Sequence, residues 1–440
     1  MTTKIIDAVC AAGVVGAGGA GFPAHIKLQA KVDLIIANGC ECEPLLCTDQ
    51  YLMENQADAV IKGLSLALQT TGADKGIIAL KGKYSASYQA LQKAAKGIKA
   101  IEFSLLPNYY PMGDEQILTW QVSGRLVPLG GIPTQAGVLV QNVTTLSQIA
   151  AAIDGLPVTH RMVAVLGEVA EPKVLKVPVG TPVSQVIAWT GGFLREDVAI
   201  ITGGPMMGQL TVDPDTPITK TTNALLVLPK EHHLILNKRK NLLHMQRHSQ
   251  SYCHACSGCQ ILCPRQGLGH PIRPQRSMRS AGYPFTTLPS PLHNITACSQ
   301  CGVCGFYACP MGLNPAIIHK DLQKYPKDHK IMIIPTSRSQ NRSLPLGIPT
   351  VRLIQRLGLG RYNQHPALDN NRYQPQWVRL PLKQHVGDAS IPVVSEGAKV
   401  KAGDLLAKIP AGKLGARLHA SINGKVKKIT EREIIITMDN

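Results

Sequence analysis

Eight of the twelve cysteines fall into two dense runs, and their spacing constrains the local structure more than any other feature of the chain. In the first run, two residues separate each of the first three cysteines and three residues precede the fourth, which is followed by proline. The second run differs only in having four residues before its last cysteine. The runs comprise Cys253, Cys256, Cys259 and Cys263, and then Cys298, Cys301, Cys304 and Cys309. Such short spacers let three thiolates converge on one small metal cluster.

This spacing is the one that bacterial ferredoxins use, in which the fourth cysteine of each run binds the cluster of the other run. It predicts two [4Fe–4S] clusters in an α-helical, ferredoxin-like segment. We assign one cluster to Cys253, Cys256, Cys259 and Cys309, and the other to Cys298, Cys301, Cys304 and Cys263. The additional residue before Cys309 leaves the fourth ligand of each cluster open. A pair of zinc sites is the alternative, but zinc binds four ligands, so the third cysteine of each run would be surplus.

The length of 440 residues exceeds that of one ordinary hydrophobic core and predicts several domains. No uninterrupted apolar run is long enough to cross a membrane. The apolar N-terminal segment contains Asp7 and several glycines and lacks the basic start of a signal peptide. We therefore expect a cytoplasmic protein without a membrane span, in which clustered cysteines bind metal or do redox chemistry rather than form structural disulfides.

The net charge of +18 is unevenly spread and is high around the cysteine runs. No acidic residue lies between Glu231 and Asp321. The basic residues of this tract include Lys238, Arg239, Lys240, Arg247, Arg265, Arg273, Arg276 and Arg279. Aromatic residues make up only 4% of the chain and no nucleic-acid-binding motif is present, so we expect no nucleic-acid partner. We interpret the tract as the surroundings of anionic clusters, or as a solvated face that attracts acidic partners.

A glycine-rich segment near the N-terminus is the second feature that suggests chemistry. It contains Gly18, Gly19, Gly21 and Phe22, with Lys27 shortly after. The segment lacks the ending of a phosphate-binding P-loop and precedes a strand, so it is not the usual dinucleotide fingerprint. Taken by itself it would be compatible with a tight turn.

The same segment resembles the FMN- and NADH-binding subunit of respiratory complex I and its RnfC relatives, which share a Gly-Gly-Ala-Gly-Phe-Pro loop followed by Lys. The resemblance implies that the loop surrounds FMN and the nicotinamide nucleotide, with Phe22 stacked on a base and Lys27 at a phosphate. Glycines allow backbone to approach phosphate closely, and lysine supplies a point charge.

Three further segments resemble this family in the same order along residues 16–146. The resemblance implies cofactor-binding roles for Asn38, Cys40, Glu41, Glu43, Tyr110, Gly113, Asp114, Glu115 and Asn142, with Glu41 and Glu43 also catalytic. Cys40 stands where complex I has an acidic residue. Two alternatives remain: Cys40, Cys42 and Cys47 could belong to a third metal site, and Asp114 and Glu115 could simply begin a helix.

We predict an α/β multidomain fold. Its parts are a Rossmann-like FMN/NADH-binding domain (1–155), an SLBB-type β-grasp domain (156–230), a two-cluster ferredoxin-like domain (240–325), a linker or docking arm (326–380) and an all-β barrel-sandwich domain of the biotinyl/lipoyl type (381–440). Lys413 lies near the hairpin where such modules carry a cofactor, but the attachment motif is absent.

The position of the barrel-sandwich module at the end of the chain resembles PduS-type cobalamin reductases, because RnfC proteins carry this module before the flavin domain. The resemblance implies that NADH, as substrate, reduces FMN, and that two [4Fe–4S] clusters pass single electrons to cobalamin. Cob(I)alamin would then serve propanediol utilisation in a bacterial microcompartment, beside an adenosyltransferase and shell proteins. No Asp-x-His-x-x-Gly motif occurs, so cobalamin is expected as a transient substrate.

Two other functions remain open at this point. The chain could be an RnfC-like electron-input subunit of a membrane or flavin-based electron-transfer complex with a protein acceptor. It could also be a non-catalytic scaffold whose clusters are structural.

Overall fold

The computed structural model describes residues 2–281, 295–324 and 347–438. Part of the linker predicted at 326–380 lies outside these ranges. The described residues form four packed units, which follow one another along the chain.

The first unit is a parallel sheet with helices on both faces. The strands of this sheet are β1 (Leu34–Gly39), β2 (Lys75–Lys81), β3 (Ile101–Leu106) and β5 (Val138–Asn142); the short β4 (Tyr109–Tyr110) lies outside it. Its helices are Thr2–Ala11, Ala24–Lys27, Thr48–Asn55, Ala57–Thr71, Ser85–Ala94, Glu115–Ser123 and Val143–Ile153, with a 3₁₀ turn at Pro133–Ala136. The central strand β1 is apolar on both faces, as expected for a strand that helices cover on each side.

The strand order is β3-β2-β1-β5, with every pair parallel. The chain runs outward from β1 to β3 and then returns to the other side of β1 with β5. Ligands of open α/β sheets bind at the carboxyl ends of strands where the order reverses in this way. That point lies between β1 and β5, after Asn38 and Asn142.

Close helix packing supports this sheet. Helices Ala57–Thr71 and Val143–Ile153 approach so closely that a Cβ atom on Gly63 would lie 1.9 Å from the carbonyl oxygen of Leu146. A side chain at this position would separate the two helices, so the contact requires glycine.

The second unit is a mixed sheet formed by β6 (His160–Gly167), β7 (Lys173–Pro178), β8 (Val198–Thr202), β9 (Gln209–Thr211) and β10 (Ala224–Pro229), with helix Val183–Ala188. A later strand, β12 (Ala367–Asp369), extends its edge and gives the order β12-β7-β6-β10-β8-β9. Residues 367–369 fall within the predicted linker, yet they belong to this sheet.

The third unit is helical and carries the cysteine runs. Its helices are His233–Arg239, Leu242–Tyr252, Gly258–Ile261, Pro264–Gly267, Pro274–Ala281 and Pro315–Leu322, with a π-helix at Val303–Ala308. A small core of Met245, Met278, Leu313 and Ile318 holds these short helices together.

The last unit is a barrel-like pair of sheets. One contains β13 (Trp377–Pro381), β19 (Glu433–Thr437), β18 (Gly424–Ile429) and β15 (Lys399–Val400); the other contains β14 (Ile391–Pro392), β16 (Leu405–Lys408) and β17 (Leu418–His419). Val378, Leu406, Ile434 and Ile436 fill the space between them.

A shared core joins the first three units. Segment 347–362, which contains β11 (Ile348–Pro349), helix Thr350–Arg356 and a 3₁₀ turn at Gly360–Tyr362, packs into this core instead of crossing solvent. Strand β11 pairs with β4, and Leu353 is fully buried beside Val303 of the cysteine-bearing unit. Residues 347–362 of the predicted linker are therefore part of the folded core. None of the described helices is both long and apolar enough to cross a membrane.

Candidate functional site

Two asparagines fix the backbone at the crevice between β1 and β5. The Asn38 amide donates to the Gly113 carbonyl at 2.9 Å and its oxygen accepts from the Cys40 N–H at 3.0 Å. Asn142 caps helix Val143–Ile153, because its oxygen accepts from the Thr144 N–H at 2.9 Å. These contacts place both predicted residues at the carboxyl ends of adjacent strands.

Glu41 is buried directly behind this crevice. Its carboxyl oxygens accept from the Thr48 hydroxyl at 2.8 Å and from the Asp49 N–H at 3.2 Å. Burial, reinforced by the neighbouring Asp49 charge, raises the pKa of Glu41 to about 8. Burial therefore favours the protonated, neutral form of the Glu41 carboxyl.

Asp49 and Lys81 are two residues at this site that the sequence analysis missed. Asp49 accepts from the Asn142 amide at 2.8 Å and from the Thr144 hydroxyl at 2.7 Å. Lys81 ends strand β2 and is buried, which lowers its pKa, although nearby Cys42, Cys40 and Glu41 oppose the shift. A lysine that closes an apolar strand is a sequence signal that could have found Lys81; Asp49 carries no comparable signal.

Glu43 does not join Glu41. Its two carboxylate oxygens accept from the backbone N–H groups of Met206 and Met207, each at 2.8 Å, in the loop between β8 and β9. A Cβ atom on Gly204 would lie 2.3 Å from one of these oxygens, so the loop fits closely around the carboxylate. Glu43 thus joins the parallel sheet of the first unit to the second unit.

The glycine-rich segment is fixed at its ends and open at its centre. The Ala17 N–H donates to the Thr145 hydroxyl at 2.9 Å, and the Ala17 carbonyl accepts from Arg161 at 2.7 Å. At the other end, the Gly21 carbonyl accepts from the Val386 N–H of the last unit at 3.2 Å. A Cβ atom on Gly19 would meet nothing within 4 Å, so the loop surface between these anchors is free to face a ligand.

Arg161 is a further residue that sequence reasoning missed. It is buried, and within the described residues its Nη1 atom has no hydrogen-bond partner. An unpaired buried guanidinium nitrogen beside a glycine loop suits an anionic group such as a flavin phosphate. This donor, the open Gly19 and the two asparagines together fit an FMN.

The predicted base-stacking and phosphate residues lie near the same loop. Phe22 is 37% exposed. Lys27 forms an ion pair with Glu115 at 2.8 Å, so these two predicted residues contact each other. Gly18 faces Asn142, since its Cβ atom would lie 3.0 Å from the Asn142 amide nitrogen.

Segment 110–114 connects the crevice to the cysteine runs. Tyr110 is fully buried and its hydroxyl donates to the Cys301 carbonyl at 2.6 Å. Gly113 lies against Cys40, where a Cβ atom would be 2.3 Å from the Cys40 carbonyl oxygen. Asp114 caps helix Glu115–Ser123 and also pairs with Arg265 at 2.8 Å. The alternative in which Asp114 begins a helix therefore describes part of its role.

The structure brings the eight cysteines of the runs together in two sets of four. Burial and the neighbouring Cys309, Cys253 and Cys256 thiols raise the pKa of Cys259 to about 12. Burial raises the pKa of Cys298 to about 12. A hydrogen bond with the backbone of Gln300 partly opposes this shift, and the neighbouring Cys263 adds to it. Burial raises the pKa of Cys301, and the neighbouring Cys263 and Cys298 add to the shift. We call Cys253, Cys256, Cys259 and Cys309 the outer set, and Cys263, Cys298, Cys301 and Cys304 the inner set.

Four thiols with basic neighbours fit a thiolate-ligated cluster. Lys240 and Arg356 contact the backbone of residues 309–312 beside the outer set, and Arg265 follows Cys263 in the inner set. Among the described side chains, no three of His, Cys, Asp or Glu are arranged to bind a single metal ion, including Cys40, Cys42 and Cys47. Four cysteine thiolates are the ligand set of a [4Fe–4S] cluster, so the composition of each set suits an iron–sulfur cluster.

Family models match each unit of the chain. The Nuo51 FMN-binding domain matches residues 9–151, the SLBB domain residues 162–210, the 4Fe-4S dicluster domain residues 239–314 and the RnfC barrel sandwich hybrid domain residues 368–439. The predicted fold class and the predicted FMN and [4Fe–4S] cofactors are confirmed.

Curated relatives match almost the entire chain. Cobalamin reductase PduS of Citrobacter freundii is 41% identical over 435 residues, which cover 98% of this chain and 96% of the relative. The chain belongs to the PduS cobalamin reductase family. The PduS protein of Salmonella typhimurium is 39% identical over 438 residues, with the same coverage. One component of the Na(+)-translocating ferredoxin:NAD(+) oxidoreductase complex of Acetobacterium woodii is similar over a shorter region. It is 39% identical over 58% of this chain and 56% of its own length.

Membership of the PduS family confirms the resemblance drawn from domain order. The chain is an oxidoreductase with a flavin domain and two iron–sulfur cluster sites. The roles of the individual residues and the domain boundaries stay predictions.

Proposed function

We propose that this chain takes electrons from NADH and delivers them singly, through FMN and two [4Fe–4S] clusters, to cobalamin, which it reduces to cob(I)alamin. The observation that carries the proposal is the near full-length similarity to proteins named cobalamin reductase. When bound, FMN accepts an electron pair as hydride and releases single electrons, which are what iron–sulfur clusters carry.

Residues of the crevice would hold the flavin and the nucleotide. Arg161 offers its unpaired guanidinium nitrogen to phosphate, and the backbone at Gly18 and Gly19 allows close approach. Asn38 and Asn142 keep the strand ends in place through the bonds they make with their own backbone neighbours. Lys27, once released from Glu115, would meet a nucleotide phosphate.

Glu41 would act through its proton. Because its pKa is raised to about 8, the carboxyl is neutral at the pH where most enzymes work, and it can donate a hydrogen bond. Glu43 is held by Met206 and Met207 and would act mainly by fixing the second unit against the crevice.

The cellular setting follows from the same family resemblance. We propose that the protein works in the cytoplasm, inside a bacterial microcompartment for propanediol utilisation, beside an adenosyltransferase and shell proteins. Cobalamin would be a transient substrate and not a resident cofactor.

A second candidate is an electron-input component with a protein acceptor. Its support is the partial similarity to single components of ion-translocating oxidoreductase complexes. The similarity covers about half of this chain, whereas the PduS proteins match all four units.

Anaerobically purified protein with NADH and cob(III)alamin tests the proposal. We expect bleaching of the flavin absorbance, followed by formation of cob(I)alamin. Ferricyanide serves as a general one-electron acceptor in the control reaction. Rapid ferricyanide reduction without any cobalamin reduction would reject cobalamin as the acceptor and favour a protein acceptor.

A further inference from the structure

The inner and outer cysteine sets have different surroundings. In the inner set, Cys263 and Cys304 are buried and the remaining two cysteines are partly buried. In the outer set, Cys256 is exposed and the others are only partly buried. The two clusters would therefore differ in their access to solvent.

The inner set contacts the flavin domain directly. The Tyr110 hydroxyl donates to the Cys301 carbonyl at 2.6 Å. Asp114, four residues later, pairs with Arg265, which follows Cys263 by two positions; the Asp114 and Arg265 side chains are 11% and 10% exposed. Gly113, between these two anchors, lies against the backbone of Cys40 in the flavin crevice. One short segment thus contacts both the crevice and the inner set.

The two sets are neighbours. Helix Gly258–Ile261 of the first run packs on π-helix Val303–Ala308 of the second run. A Cβ atom on Gly258 would lie 3.3 Å from the Ala308 carbonyl oxygen and 3.8 Å from the Cys256 sulfur. The two runs therefore contact each other through these short helices.

The outer set lies under an exposed apolar rim. Tyr252, Ile261 and Met311 are 45%, 59% and 42% exposed, and Tyr252 and Met311 line the small cavity around the outer thiols. Arg247 and Arg276, on the neighbouring helices, are also exposed. The tract from 232 to 320 contains no acidic residue that would neutralise these arginines locally.

We infer that the inner set receives electrons from the flavin domain and that the outer set delivers them to an acceptor bound at the rim of Tyr252, Ile261 and Met311. Each transfer would move one electron: a cluster held by the inner set would be oxidised as one held by the outer set is reduced, and the outer one would be oxidised in turn as the acceptor cobalt is reduced. No covalent bond forms or breaks between the partners.

The acceptor chemistry rests on the proposed function. A cobalamin presents an extended apolar macrocycle and an anionic phosphodiester. The rim offers aromatic and thioether surface for the macrocycle, and the exposed Arg247 and Arg276 on helices Leu242–Tyr252 and Pro274–Ala281 offer positive charge for the phosphodiester. Apolar surface of this kind beside a redox site, with exposed arginines on the adjoining helices, suits such a ligand better than it suits an acidic protein, whose binding would rely mainly on charge.

Paired cysteine variants test the order of the two sets. Cys256→Ser should remove the outer cluster and Cys301→Ser the inner one, each with loss of about half the iron and retention of flavin. With NADH, the electron paramagnetic resonance signal of the reduced inner cluster should appear in Cys256→Ser. In Cys301→Ser the outer cluster should stay oxidised with NADH but become reduced with dithionite. The opposite pattern would overturn the inferred order.

Flavin bleaching by NADH separates this inference from the proposed function. It should persist in both variants; its loss in the wild-type protein would reject the proposed NADH reaction, whatever the order of the clusters. A cysteine variant that loses both clusters gives no information on the order of transfer. In that case the rim variant tests the inference through the acceptor site.

The rim is tested by the Tyr252→Ala/Met311→Ala variant. Leu156→Ala is the control, because Leu156 is 59% exposed in the connection between helix Val143–Ile153 and β6, outside the cysteine-bearing unit. The rim variant should raise the KM for cobalamin at least fivefold, keep its iron, and show unchanged reduction of both clusters by NADH. The control should match wild type. An unchanged KM for cobalamin in the rim variant would reject this surface as the acceptor site.

Discussion

The buried carboxyl of Glu41 accepts a hydrogen bond from the backbone N–H of Asp49 at 3.2 Å, and the two acidic side chains share one polar pocket behind the crevice. Because burial and Asp49 both disfavour the charged form, the pKa of Glu41 is raised to about 8. A raised carboxyl pKa has a defined effect on stability as the pH changes.

Between about pH 4.5 and pH 8, the folded protein binds a proton at Glu41 that the unfolded chain releases. The free energy of unfolding should therefore fall as the pH rises through this window, and the part lost between pH 6 and pH 8.5 should be on the order of 1–3 kcal/mol. Glu41→Gln should flatten this dependence, as measured by urea unfolding at pH 6 and pH 8.5. The exposed Glu196→Gln is the control. An equally steep fall in Glu41→Gln would show that Glu41 is already ionised at pH 6.

Tyr110→Phe removes the hydroxyl that donates to the Cys301 carbonyl. Leaving that carbonyl without its partner should lower the free energy of unfolding by about 1–3 kcal/mol. The neighbouring Tyr109, which is 39% exposed, supplies the matched control Tyr109→Phe, expected to change stability little. Urea unfolding of both variants measures the difference. Equal stability of the two variants would mean that the bond contributes nothing.

Asp114 has two separable roles, which two substitutions distinguish. Asp114→Asn keeps an acceptor for the helix N–H groups but loses the ion pair with Arg265, whereas Asp114→Ala loses both. Removing one partner of a buried pair leaves an uncompensated charge and should destabilise by about 3 kcal/mol. The alanine variant should lose about 1 kcal/mol more, because the cap is also gone. Thermal unfolding curves that place Asp114→Asn at wild-type stability would reject a stabilising ion pair.

Lys27 and Glu115 give a prediction about nucleotide binding. Lys27→Met should raise the KM for NADH several-fold, while the free energy of unfolding changes by less than about 1 kcal/mol, because the ion pair is partly exposed. Glu115→Gln frees Lys27 and should leave the KM unchanged or lower it. Steady-state kinetics with ferricyanide measures both variants. A KM that rises equally in both would indicate that the ion pair itself, and not the lysine, shapes the site.

Local patterns in the sequence predicted the parts of the site that depend on local structure. The cysteine spacing alone led to the two sets, because short spacers restrict which thiols can meet. Asp114 could be recognised as a helix start, since acidic residues favour that position. The strand before Asn38 was visible as an apolar run.

Contacts between units could not be predicted from the sequence, because they depend on how separate units pack. Glu43 reaches Met206 and Met207, and Arg161 reaches Ala17, across more than a hundred residues in each case. Leu353 falls within the predicted linker or docking arm (326–380), yet it is buried in a core that other units supply. No local sequence pattern indicates which residue such a side chain will contact.

The central claim is that one chain carries a flavin and two four-iron clusters, and metal and flavin analysis of anaerobically purified protein tests it most directly. We expect about eight iron atoms, no stoichiometric zinc and about one FMN per chain, with an absorbance that bleaches when NADH is added. Zinc bound in place of iron, or protein without flavin absorbance, would contradict the account.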